Sequence, residues 1–130
     1  MRRIIIVRIE FLMQNNRTIG TEYEERAVDY LRQQGMHILE RNFRNRNGEI
    51  DIIAKDGEYI VFVEVKYRKS EQKGTPTEAV TFGKQKTICR VADFYRLKHG
   101  LGEFTPVRYD VVACSADEIA WYPNAFAHIY

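Results

Sequence analysis

Three charged residues stand where the sequence is otherwise apolar. Asp51 lies in the run Ile50–Ala54, and Glu64 and Lys66 close the run Tyr59–Val65. Paired carboxylates beside an ammonium are equipment for phosphodiester hydrolysis. Two carboxylates can converge on one hard cation, and Mg²⁺ (or Mn²⁺) suits them because it takes one or two carboxylates and keeps several waters. Lys66 can balance their charge, orient or deprotonate a water, and stabilise a phosphate in transit. Glu-x-Lys alone carries little information. An acidic residue on the preceding strand, followed by Glu-x-Lys on a strongly apolar strand, carries more. The competing interpretation is a charged patch on a solvated sheet face, and the apolar neighbours Ile60 and Phe62 count against it.

The elements that must position these groups begin with a hairpin. Asp56-Gly57 between β-branched runs is a strong hairpin signal. With those two residues as the loop, Ala54 pairs with Tyr59 and Lys55 with Glu58. Asp51 then faces Phe62, and Glu49 faces Glu64. Asp51 and Glu64 become diagonal neighbours, about 7–8 Å apart at the backbone. Alternation puts Ile50, Ile52, Ala54, Tyr59, Val61, Val63 and Val65 on one face. Glu49, Asp51, Ile53, Ile60, Phe62, Glu64 and Lys66 share the other, which is half apolar and therefore expected to be covered as well. Uncompensated charge at such a covered surface is costly.

Thr18 to Gln34 reads as a helix, with Thr18 or Thr21 as cap and Tyr23, Ala27, Tyr30 and Leu31 as its apolar stripe. Thr21 and Glu24 have capping-box spacing, so Glu24 taken alone is a first-turn carboxylate. Met36 to Arg44 reads as a strand and Asn45 to Asn47 as a turn. After the hairpin comes a polar loop from Ser70 to Gly74, then a short helix from Thr75 to Glu78. A longer helix capped by Thr81 runs to about His99, with Ile88, Val91, Ala92 and Tyr95 facing inward. Val107 to Cys114 and Glu118 to Tyr122 read as strands. This order fits an α/β (α+β) fold with a mixed central sheet of about five strands flanked by helices.

The 130 residues favour one domain, with 45% hydrophobic and 29% charged residues and a net charge of +2. Residues 16–130 form that domain. Residues 1–15 read as an extension, either an added edge strand or a consequence of start-site choice, Met13 being an alternative initiator. Arg8 and Glu10 interrupt the apolar start, and no small-residue cleavage site follows, so it is not read as a signal peptide. No stretch has the length of a transmembrane helix. Cys89 and Cys114 read as reduced core thiols, which with the rest points to a cytoplasmic protein. His37, His99 and His128 lack zinc-ligand spacing.

The Asp…Glu-x-Lys pattern resembles the core of the PD-(D/E)XK nuclease superfamily. More closely, the chain resembles the YraN family of small bacterial proteins with an endonuclease-like fold. The likeness spans Asn16 to Phe126 and rests on ordered blocks: Gly20, Glu24 and Ala27 with Tyr30-Leu31; Asn42 and Arg44; Gly48–Ala54; Val63–Lys66 with Arg68; Glu78–Val80 with Lys84; Arg108–Val112; and Asn124–Phe126. It implies a restriction-endonuclease-like core similar to archaeal Holliday-junction resolvases. It further implies metal-dependent hydrolysis of DNA phosphodiester bonds, with branched or structured DNA as substrate. Asp51 and Glu64 would be metal ligands, Lys66 the catalytic lysine, and Glu24 an accessory catalytic and metal-binding carboxylate. The family often has a small residue where this chain has Tyr23, which would narrow the cleft beside Glu24. A nucleic-acid-binding accessory with a nuclease-like fold is the alternative function. A homodimer would suit a symmetric substrate, although no interface signature is visible.

Arg44, Arg46, Arg68, Lys69, Lys73, Lys84, Gln85 and Lys86 are candidates for a phosphate-tracking surface, Lys84 and Gln85 ahead of the rest because they open a helix that could face the site. A solvated basic rim explains each of them singly just as well. Arg108 and Asp110 read as a structural ion pair, Asn124 and Phe126 as tail docking. Glu49 is expected to pair with Arg44 or Lys66.

Overall fold

The computed structural model describes residues 5–8, 16–68 and 80–130. The short helix expected from Thr75 to Glu78, and Lys69 and Lys73, lie outside the described residues. The elements are β1 (Ile5–Arg8), α1 (Asn16–Gln33), β2 (His37–Asn45), β3 (Gly48–Asp56), β4 (Tyr59–Tyr67), α2 (Phe82–Lys98), β5 (Val107–Cys114) and β6 (Glu118–Phe126). They build a six-stranded sheet in the order β1-β6-β5-β4-β3-β2. β4 and β5 run parallel, joined across α2, and the other neighbours are antiparallel. A parallel pair needs a long crossover, and α2 supplies it. The sheet is thus the expected mixed sheet plus one strand, since Ile5–Arg8 pairs with β6 at the edge.

Both sheet faces are covered, as the half-apolar second face of the hairpin required. Tyr23, Ala27, Val28, Tyr30 and Leu31 of α1 pack with Ile52, Ala54, Val61, Val63 and Val112. Ile88, Cys89, Val91, Ala92 and Tyr95 of α2 pack with Ile53, Ile60, Phe62, Tyr109 and Val111 on the other side. Thr81 caps α2, its side-chain oxygen accepting from the Lys84 amide at 3.2 Å. Cys89 and Cys114 are free and buried. Burial pushes the Cys114 thiol up to about 12, which leaves it an inert core group.

Three expectations are corrected. The hairpin loop is Gly57-Glu58, not Asp56-Gly57, since Asp56 pairs with Tyr59 and Ile52 with Val63. Gly57 has φ 60° and takes the first loop position, the one a II′ turn reserves for glycine. The register therefore slides by two residues and preserves the faces. Second, α1 begins at Asn16, so Glu24 lies beyond its second turn and cannot belong to a capping box. Third, Ile50 packs with Phe43 under α2 while Ile52 packs under α1, so β3 turns over between them.

The β2–β3 turn packs closely against the second and third turns of α2, at Thr87 and Val91. A Cβ on Gly48, whose φ is 155°, would lie 2.6 Å from Thr87 Cγ2. Gly48→Ala is expected to push α2 off β3 and destabilise the protein by about 1–3 kcal/mol. A lower urea midpoint at unchanged slope would register it, whereas an unchanged midpoint would refute the contact.

Candidate active site

The turnover of β3 falls on Asp51. The β3–β4 ladder ends at Ile52↔Val63. One step further Asp51 stands level with Glu64, directly opposite rather than diagonal. Here the Asp51 carboxylate replaces a backbone acceptor, its Oδ2 receiving the Val65 amide at 2.8 Å. Across β2, Arg41 pairs with Ile52 and Phe43 with Ile50, so Asn42 stands against Asp51. Asn42 has φ 53°, a left-handed conformation that asparagine tolerates better than most residues. The two strands turn over together, and Asp51 is delivered into the sheet layer between the helices.

Glu64 comes from the α2 side. It alternates with Ile60 and Phe62 along β4 and is 6% exposed, one of two buried charged residues among the described residues, with Asp110. Two lysines approach its Oε2: Lys66 at 3.8 Å, two residues along the strand, and Lys84 at 4.0 Å, from the first turn of α2. Both ammonium groups remain partly in solvent. Asp51 and Glu64 meet through their side chains. Burial, and then the Glu64 charge, pushes the Asp51 carboxyl up to about 7, against the Val65 amide that lowers it.

Glu24 comes from α1 on the opposite layer. Burial and the nearby Asp51 charge raise its pKa, while a hydrogen bond from Asn42 and the Arg41 charge oppose the rise. Glu24 therefore reaches the electrostatic field of the pair. The described residues contain no group of three or more His, Cys, Asp or Glu side chains placed to hold one metal ion. Asp51 and Glu64 are brought together, and Glu24 stands off, held by Asn42. The donor chemistry of the pair fits a hard divalent cation: two carboxylate groups, mutually repelling, with no soft ligand among them.

The weaker candidates divide. Lys84 joins the site. Gln85 is engaged with its own helix start, its Nε2 donating to the Val80 carbonyl at 2.9 Å. Arg44 pairs with Glu49 at 2.9 Å, which resolves the role of Glu49. Arg46 and Lys86 are exposed. The Arg68 amide donates to the Cys114 carbonyl, tying the end of β4 to β5. Arg108 and Asp110 form the structural ion pair expected, in a two-pronged contact at 2.9 and 3.0 Å.

Asn42 is a site residue that received no role from the sequence. Its signal was faint: an asparagine between Arg41 and Phe43 in a strand, marked out only by the block it forms with Arg44 in the family likeness. Asn42→Gly keeps the left-handed backbone accessible and deletes the amide, so it is expected to raise the Glu24 pKa further at little cost in stability. Asn42→Ala would add backbone strain of about 1 kcal/mol. A carboxyl-carbon NMR titration of Glu24 checks the first and thermal melting the second.

A mixed six-stranded sheet with a helix on each face is an α+β core consistent with an endonuclease-like fold. The chain belongs to the family described as "Uncharacterised protein family UPF0102", whose profile matches residues 23–114. It is 48% identical over 112 residues to a UPF0102 protein of Lachnoclostridium phytofermentans, covering 86% of this chain and 95% of that relative. It is 45% identical over 112 residues to one of Colwellia psychrerythraea, covering 82% and 87%. A third, from Thermodesulfovibrio yellowstonii, is 45% identical over 108 residues, covering 83% and 95%. Among the described residues, no helix is long and apolar enough to cross a membrane.

Proposed function

We propose that the protein is a metal-dependent nuclease that hydrolyses DNA phosphodiester bonds. One observation carries this: Asp51 interrupts the β3–β4 ladder to meet buried Glu64, and two lysines converge on the same Glu64 oxygen. Folding pairs that stabilise a core do not concentrate like charge in this way, because repulsion and desolvation both oppose it. Asp51 and Glu64 would hold a divalent cation, Mg²⁺ or Mn²⁺. When bound, it supplies Lewis acidity and a water acidified into the neutral range. Lys66 and Lys84 bind the non-bridging oxygens of the phosphate and stabilise the charge that grows on them. Lys66, at the rim, also orients the attacking water. Glu24 is made more basic by burial and by Asp51, and it accepts a proton more readily than a free carboxylate would.

The test is incubation with supercoiled, linear, single-stranded and four-way-junction DNA, with Mg²⁺, with Mn²⁺ and with chelator. Metal-dependent cleavage that is lost in Glu64→Gln supports the proposal. Salt-sensitive binding without cleavage of any substrate marks a nucleic-acid-binding accessory instead.

A further inference from the structure

The end of β4 carries an aromatic ring that the chemistry above leaves unused. Tyr67 is 50% exposed. Its ring is stacked on Tyr23, with centroids 4.8 Å apart and planes 30° from parallel. Tyr23 is 2% exposed, part of the α1 core, so it forms a fixed pedestal. Tyr67 follows Lys66 in the chain, and Tyr23 precedes Glu24. The stack is therefore joined through one peptide unit to each of two candidate catalytic residues. Alternation along β4 sends the Tyr67 ring to the α1 side, away from Lys66 and Lys84. On the α2 side a second ring, Phe82, is 66% exposed and opens the helix that carries Lys84.

We infer that Tyr67 is a stacking platform for an unpaired base, so that the substrate is a DNA strand unstacked next to the scissile phosphate. This rests on the nuclease reading above and names its substrate class. The faces of bases within a continuous duplex are already covered by their neighbours, so a protruding ring has nothing to stack on. A base freed at a fork, loop or junction offers its face. Stacking on an aromatic ring is sequence-tolerant and worth roughly five- to a hundredfold in affinity per base. Tyrosine pays little rotamer entropy for this, and Tyr67 pays less because Tyr23 already holds the ring. The lysines track the backbone on one side of the sheet, and the ring engages the base on the other. Phosphate and base of one nucleotide are thus addressed from two directions only when that nucleotide has left the stack.

The probes are a fluorescein-labelled paired duplex and the same duplex with a central unpaired loop containing 2-aminopurine. Both are titrated in Ca²⁺ at fixed ionic strength. The wild type should bind the looped probe about tenfold more tightly and quench its 2-aminopurine emission. Tyr67→Leu keeps a hydrophobic cover over Tyr23 and should lose most of that margin while binding the paired duplex unchanged. Tyr67→Trp should retain it. Equal affinity for the two probes, absent quenching, or an equal loss on both in Tyr67→Leu would overturn the inference. Cleavage without preference for the looped probe sinks this inference and leaves the nuclease reading standing. Preference without cleavage overturns the nuclease reading and leaves only the stacking of an unpaired base on Tyr67, and failure to bind either probe removes both.

Discussion

Asp51→Asn is expected to abolish metal-dependent cleavage and, in the same molecule, to raise the melting temperature of chelator-treated protein at pH 8. The loss follows from removing one of two charged ligands. Roughly 4 kcal/mol of transition-state stabilisation would go, about a thousandfold in rate. The gain follows from linkage. Burial and the Glu64 charge hold the folded Asp51 pKa at about 7, above its ordinary value. The folded protein therefore binds more protons than the unfolded chain between about pH 4 and that value. Stability must fall as pH rises through this window, and the deficit is complete above it. Asparagine cannot ionise, and its Oδ1 still accepts the Val65 amide. The variant should gain up to about 4 kcal/mol at pH 8, on the order of 12 °C in melting temperature, and nothing at pH 4. Mg²⁺ should close the gap by stabilising the wild type and leaving the variant unmoved. Equal melting temperatures at pH 8 would remove the basis for reading Asp51 as a strained ligand. Only a residue kept for function pairs loss of activity with gain of stability in this way.

The parts of this site that sequence makes legible are those set by period two. Alternation alone put Glu64 and Lys66 on one face with Ile60 and Phe62, and that face lies under α2. The register was not legible to the same degree, because Asp56-Gly57 and Gly57-Glu58 are both acceptable loops by composition. The preference of a II′ turn for glycine at its first position decides between them. A slide of two residues leaves every face unchanged, which is why the pairing could be misjudged while the cluster survived. Glu24 was misleading for a different reason. Thr21 has the right spacing for a cap, but the helix already runs from Asn16, and local capping signals cannot reveal an earlier start. The turnover of β3 at Asp51 was invisible, since it depends on Asn42 adopting a left-handed conformation across the ladder. Lys84 and Gln85 both stand out in the sequence because they open a helix that could face the site; packing of α2 on β3 brings Lys84 to Glu64, while Gln85 is engaged with its own helix start.

Asp110→Ala is expected to destabilise the protein more than any substitution at the carboxylate–lysine cluster, by about 4 kcal/mol. Asp110 is fully buried in β5. Its carboxylate accepts two bonds from Arg108, one from Trp121 Nε1 at 3.0 Å and one from the Asn124 amide at 2.9 Å. Arg108 also reaches Asp56 at 3.0 Å, at the start of the β3–β4 loop, and lies over the Tyr59 ring. One carboxylate thereby joins β3, β4, β5 and β6 at the end of the sheet where parallel β4 and β5 begin. Asn124, with φ 54°, bends β6 so that its amide can take part. Removing the carboxylate leaves a largely buried guanidinium with Asp56 alone and orphans an indole N–H and a backbone N–H, each at full desolvation cost. Asp110→Asn should cost less, because a neutral oxygen still accepts. Its amide group, though, would meet the Arg108 donors with donors of its own. The signature differs from that of Asp51→Asn in every respect: stability falls, Mg²⁺ does not restore it, and cleavage per folded molecule is retained. Urea unfolding read beside an activity titration separates the two. Pairs of like charge were placed at one end of β4 at the expense of stability, and opposite charges were saturated at the other end, where they hold the sheet that bears the strain.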